Sequence, residues 1–222
     1  MTRGIFIAGN ESALSRAIEA ETGNRVEQFA AAFIPNRFSG AVKSSSQEMP
    51  QRLSLDWNPS SPISARTLVL AAENRLEHID EAILVCSPPS IRSKAFDLSF
   101  SDVEIMINDH IKGWFFLVKE LTAVFNNRKR GTLALVYPDI ASSSLKDEAA
   151  DLIGPPALAS FRSLTNSLLS AAHNDVYVTM GFSTTDAGNE SAFASFIFKS
   201  LDDTGKRSNG KLHKFGKFSL FK

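Results

Sequence analysis

Short unbroken apolar runs alternate along this chain with longer stretches whose apolar residues recur every three or four positions. The runs "GIFIA" (Gly4 to Ala8), "AILVC" (Ala82 to Cys86) and "GTLALVY" (Gly131 to Tyr137) lack the in–out alternation of a half-buried strand. They read as strands covered on both faces. "RLSLDW" is a short strand, "DVYVTMGF" (Asp175 to Phe182) another, and "KLHKFGKFSLF" a last one. "RVEQFAAAFI" (Arg25 to Ile34) fits a strand or a helix equally. Among the helical stretches, the first follows Ser12 as cap, with Leu14, Ala17 and Ile18 on one face. The second opens on Ser61 as cap with Pro62 in the first helical position, where a missing N–H costs nothing. A third runs from Ser101 or Asp102 to about Asn127, with Met106, His110, Trp114, Leu117, Leu121 and Phe125 near one stripe. Pro155 to His173 and Ser191 to Leu201 complete the set, and the Ser-, Pro- and Gly-rich stretch Pro35 to Gln51 reads as a long loop.

Strands that alternate with helices predict a parallel sheet with helices on both faces. With right-handed crossovers this is an α/β, doubly wound, Rossmann-type sheet, here as a single domain over residues 1–222. Ligands of such sheets lie beyond the carboxyl ends of the strands. The stretches to inspect are therefore Gly9 to Ser15, Asp56, Ser87 to Pro89, Tyr137 to Asp139 and Gly181 to Thr185.

Composition narrows the function classes. The 24 basic and 24 acidic side chains cancel, which gives no global steering toward nucleic acid or an anionic membrane. The single cysteine, Cys86, excludes an intrachain disulfide and leads us to expect a cytoplasmic protein. No apolar run approaches the roughly 20 residues that span a bilayer, and no membrane partner is expected. The four histidines show no metal-ligand spacing, and no nucleophile elbow or Walker loop is present. The basic and aromatic stretch "KSLDDTGKRSNGKLHKFGKF" has a composition that can hold single-stranded nucleic acid. It coincides with a turn and the last strand, and we read it as those, with no nucleic acid partner.

In the order of these segments the chain resembles the short-chain dehydrogenase/reductase family over nearly its whole length. "AGNESALS" stands where the family carries its glycine-rich turn, with Gly9, Ala13 and Ser15 on the three glycine positions. A glycine followed six residues later by a serine also occurs in the enoyl-acyl-carrier-protein reductase branch. "LDW" resembles the strand end whose Asp contacts adenine, which implicates Asp56. "HIDEAILVCSPP" resembles the strand that leads to the cofactor loop, here beginning with Ser87. "VYVTMGFSTTD" resembles the strand and loop near the nicotinamide, with Gly181 and Thr185 on matching positions. The resemblance thus implies an NAD or NADP site built from Gly9, Ser15, Asp56, Ser87, Gly181 and Thr185. Two readings of the first turn stay open: a phosphate cradle with altered residues, or a glycine that ends a strand before a capped helix.

The catalytic positions depart from the family. Registering "RSLTNSLLSAA" on the family helix puts Gly154 at the Tyr position and Leu158 at the Lys position; the enoyl-reductase spacing puts Asp151 at the Tyr position. The family Asn falls on His110, two residues from Asn108, and the family Ser near Tyr137 or Pro138. "ALVYPDIA" resembles the enoyl-reductase strand end that carries an active-site tyrosine, which leaves Tyr137 as the catalytic candidate; the alternative is a tyrosine that packs at a strand end. These departures point to a diverged relative without the usual Tyr/Lys pair, either a silent binding protein, an atypical oxidoreductase or a subunit of an oligomer. The resemblance further implies a homo-oligomer through helices 102–127 and 155–173, the first of which carries Trp114, Phe115, Phe116 and Leu117 in succession.

Overall fold

The computed structural model describes residues 3–34, 37–38, 50–139, 150–186, 188–203 and 208–216. Seven parallel strands form the central sheet: β1 (Ile5–Asn10), β2 (Phe29–Ile34), β3 (Arg52–Ser54), β4 (Glu81–Val85), β6 (Thr132–Pro138), β8 (Val178–Thr184) and β9 (Lys211–Phe215), in the order β3-β2-β1-β4-β6-β8-β9. Two two-residue strands, β5 (Arg92–Ser93) and β7 (Ala150–Asp151), pair antiparallel apart from it. The expected doubly wound sheet is therefore present. The run left open between strand and helix is a strand, β2, whose Ala30, Ala31 and Ala32 are small enough to lie between two packed neighbours. At the edge, β9 exposes Lys211 and Lys214 and half-buries Leu212, His213 and Phe215, which suits an edge strand.

One face of the sheet is covered by α2 (Pro62–Leu76), α4 (Gly113–Arg128) and α5 (Gly154–Ala171), the other by α1 (Ala13–Gly23) and α6 (Glu190–Asp202). Side chains alternate between two cores: Phe6, Ala8, Leu84, Leu135 and Tyr137 turn toward Trp114, Leu117 and Phe161. Ile5, Ile7, Val85, Val136 and Phe182 turn toward Ile18, Phe193 and Ile197. Ser12 caps α1 and Ser61 caps α2 with Pro62 in its first turn, as the sequence predicts.

The third helix differs from expectation. It begins one or two residues earlier, at α3 (Phe100–Ile107), where the Ser99 hydroxyl accepts from the Asp102 N–H at 3.0 Å. It then passes through a π-helical turn, Asn108–Lys112, before α4. Such a turn holds one residue more than an α turn and leaves a hydrophobic pattern legible on either side, so the sequence does not reveal it. It directs Asp109 and His110 inward, and both are buried. The aromatic run that follows is mostly used inside the chain. Trp114 meets Trp57 and Phe161 edge-on, Leu117 is buried, and Phe116 lies under the Lys112 ammonium, which leaves Phe115 half exposed. Most of the loop read over Pro35 to Gln51, and Lys206, Arg207, Lys217 and Phe218 of the basic stretch, lie outside the described residues.

Candidate functional site

The strand order reverses between β1 and β4, and their carboxyl ends are Asn10 and the residues after Val85. Asn10 is almost fully buried there. Its Oδ1 accepts from the Ser87 N–H at 2.9 Å, so its Nδ2 is the donor toward His110 Nδ1, also at 2.9 Å. The proton of the neutral His110 ring must then reside on Nε2, an atom with no hydrogen-bond partner among the described residues. Burial pushes this imidazole down to about 4, so it is neutral at pH 7. Phe38, from beyond the end of β2, stacks on the His110 ring with centroids 5.6 Å apart and planes 16° from parallel. Arg37 Nε lies 3.5 Å from Asp109 Oδ2, and burial holds the Asp109 carboxyl above its ordinary value against that charge.

Next to this cluster, the first turn of α1 is closed on itself. The Ser15 N–H donates to Ser12 Oγ at 3.1 Å, the Ser12 N–H donates to Ser15 Oγ at 2.8 Å, and Ser15 Oγ donates to the Ser12 carbonyl at 3.0 Å. The cavity beside this turn is only about 130 Å³, bordered by Ser12, Leu14, Ser87 and Thr184 and by the carboxylates Asp186 and Glu190. Ligand pockets begin at roughly 300 Å³.

The large opening lies further along the same edge of the sheet. A cleft of about 760 Å³ runs between the ends of β4 and β6 and the first turns of α5. Pro88, Pro138, Pro155, Leu158 and Ala159 make its apolar wall. Its charged groups are Asp139, Asp151 and Arg162, with Arg162 Nη1 donating to Asp139 Oδ1 at 3.0 Å. Asp151 Oδ1 accepts from the N–H groups of Ile153 at 3.1 Å, Gly154 at 2.9 Å and Ile91 at 3.3 Å. It thereby caps α5 and ties it to the segment after β4. Gly154 and Leu158 both border the cleft. The described residues of its wall include no Tyr, Lys or His.

Each residue implicated by the sequence has a definite place. Gly9 is a strand residue opposite Val85, and a Cβ there would collide with the Val85 carbonyl oxygen. Ser15 is buried within the capping box. Asp56 is exposed just past β3, followed by the buried Trp57. Ser87 borders both cavities. Gly181 lies inside β8, where a Cβ would press on Leu212, Leu169 and Thr165, and it borders neither cavity. Thr185 is exposed after β8, its N–H donating to the Phe215 carbonyl. Tyr137 is buried at 1% exposure, its ring edge-on to Phe161 and its hydroxyl paired with Ser183; burial pushes the phenol above its ordinary value. It borders neither cavity. Sequence reasoning missed Asn10, Phe38, Asp109 and Arg37, which meet only through long-range contacts; the one local signal was an acid beside a histidine on an apolar helix.

A nicotinamide dinucleotide needs free backbone N–H groups and room at the start of α1. The closed capping box, the small acidic cavity and the Phe38–His110–Asn10 cluster do not fit one in this conformation. Among the described residues, no cluster of metal-ligating side chains occurs, and no helix is long and apolar enough to cross a membrane.

No protein-family model matches the sequence, and comparison with curated proteins finds no significant relative. Solved structures do share the fold. A short-chain dehydrogenase from Bacillus anthracis superimposes with a TM-score of 0.72 at 12% identity over 96% of this chain and 94% of its own. Levodione reductase gives 0.70 at 12% identity over 96% and 95%. Serine dehydrogenase from Escherichia coli gives 0.69 at 11% identity over 96% of both chains. The chain therefore has the Rossmann-type fold of the short-chain dehydrogenase/reductases.

Proposed function

We propose that the protein is a short-chain-dehydrogenase-like protein that has given up the usual hydride-transfer chemistry and holds NAD or NADP weakly or not at all. The observation that carries this reading is the α5 wall of the cleft. Gly154 and Leu158 stand where a proton donor and its activating cation belong, and neither carries a titratable group. Loss of a general acid alone costs about 10²–10⁴ in rate. The described residues offer no replacement in the cleft: Asp139 is held by Arg162, and Asp151 is committed to capping α5. Tyr137, the candidate for an atypical oxidoreductase, is buried away from the cleft with a weakened acidity. Assayed with NADH or NADPH against ketones, aldehydes and enoyl thioesters, the protein is expected to oxidise cofactor at the rate of the buffer control. Turnover comparable to an ordinary reductase would overturn the reading.

The reading of a subunit in a homo-oligomer is supported by Phe100, Ile107 and Phe115, all exposed along α3 and α4, on an otherwise charge-balanced chain. On α5, the exposed Ser167 and Ser170 lie outside the cleft and add a polar margin. We expect sedimentation across a concentration series to show a dimer or larger species, with Phe115→Ser shifting it toward monomer. A monomer at every concentration would remove this reading.

A further inference from the structure

The crevice where the strand order reverses is filled by the chain itself. Asn10 bridges the Ser87 N–H to His110, and the flat face of His110 carries the Phe38 ring in near-parallel contact. Phe38 is buried at 4% exposure. The adjacent Arg37 reaches in the same direction, to Asp109, across 3.5 Å. We propose that Arg37 and Phe38 form an autoinhibitory plug: Phe38 occupies the place on His110 that a planar heteroaromatic ligand would take, and the Arg37–Asp109 pair locks it there. The inference rests on the reading that this crevice holds no dinucleotide as it stands.

The chemistry of the closed state supports a replaceable plug. Among the described residues, neither Asp109 oxygen nor His110 Nε2, all three buried, has a hydrogen-bond partner. Well-packed interiors rarely leave such groups unmet, and three at one place are an unusual concentration. A phenyl ring can stack on an imidazole but can neither donate nor accept. A ring that carries an amino group and ring nitrogens, as adenine does, would stack in the same way. Its amino group would also offer a donor to the Asp109 carboxylate, which a phenyl ring cannot. The lock is weak by geometry, since the ion pair is long and the Arg37 side chain is 42% exposed. When a competent state is only fractionally populated, observed affinity falls by that fraction. A plug closed about 99% of the time would therefore mask affinity roughly 100-fold.

The test is calorimetric titration of the full chain with adenosine monophosphate and with NADP. Circular dichroism and thermal melts establish that each variant is folded. Wild type should show no saturable binding in the millimolar range, and Phe38→Ala should bind adenosine monophosphate about 100-fold more tightly. Arg37→Ala, a change at a half-exposed site, should gain affinity by a smaller factor, and it carries the test alone if Phe38→Ala does not fold. Tight binding by wild type, or no gain in a folded Phe38→Ala or Arg37→Ala protein, would overturn the plug. Hydride transfer by Phe38→Ala would support the plug and refute the silent-protein reading, whereas binding without transfer supports both.

Discussion

Replacing Gly9 with alanine will lower the melting temperature by about 10 °C, whether or not any ligand is present. A Cβ at this position would overlap the Val85 carbonyl oxygen and lie 2.9 Å from the Val85 side chain. Gly9 and Val85 are paired residues of adjacent parallel strands, β1 and β4, so neither backbone can retreat without losing ladder hydrogen bonds on its other side. Overpacking a flexible core costs about 1–3 kcal/mol, and a contact against backbone exceeds the usual range. At roughly 3 kcal/mol, a chain of this size loses about 10 °C. The glycine that resembles the start of a phosphate cradle is thus demanded by the sheet itself. Thermal melts of Gly9→Ala decide: an unchanged melting temperature would mean that the strands yield and that the glycine serves ligand approach instead.

Acidification should destabilise the fold through His110. Its folded-state value, about 4, lies below the ordinary histidine value of about 6.5, because burial disfavours the imidazolium. Between these values the unfolded chain binds a proton that the folded chain does not, so stability falls as pH falls through this window. The contribution is complete above pH 6.5 and stops changing below about pH 4. The loss across the window is on the order of 3 kcal/mol. Asp109, Glu19 and Glu81, whose carboxyls burial raises, titrate in the opposite sense, so the comparison must be with a variant. His110→Asn keeps an acceptor for Asn10 and removes the titration. Urea unfolding of both proteins at pH 7 and pH 4.5 should show a steeper loss in the wild type. Equal losses would contradict a buried neutral His110.

The sheet was legible because its strands are buried on both faces: "AILVC" and "LALV" contain no charged or strongly polar residue that would have to face water. The capped starts of α1 and α2 were legible from single residues, Ser12 and Ser61 with Pro62. The helix read over Pro155 to His173 was legible too, and forms α5 with bounds that differ by one or two residues. What the sequence hid was the crevice. The π turn adds a residue that the apolar stripe does not reveal, and within it Asp109 and His110 are both buried. Asn10, Phe38 and His110 are far apart in the chain, and nothing local to any of them announces the others. Gly181 illustrates the converse: a glycine on a matching position is used by this chain to admit Leu212, Leu169 and Thr165.

The measurement that bears most directly on the silent-protein reading is hydride transfer from cofactor deuterated at the nicotinamide C4. The protein, at high concentration, is incubated for hours with this cofactor and a mixture of ketones and enoyl thioesters, and the products are analysed by mass spectrometry. Even a rate 10⁴-fold below that of an ordinary reductase, the upper range for loss of a general acid, leaves a detectable label under these conditions. The proposed reading, which assigns Gly154 and Leu158 to the donor and activator positions, predicts no deuterium in any product above the protein-free control. Deuterium that accumulates in proportion to protein concentration would contradict it.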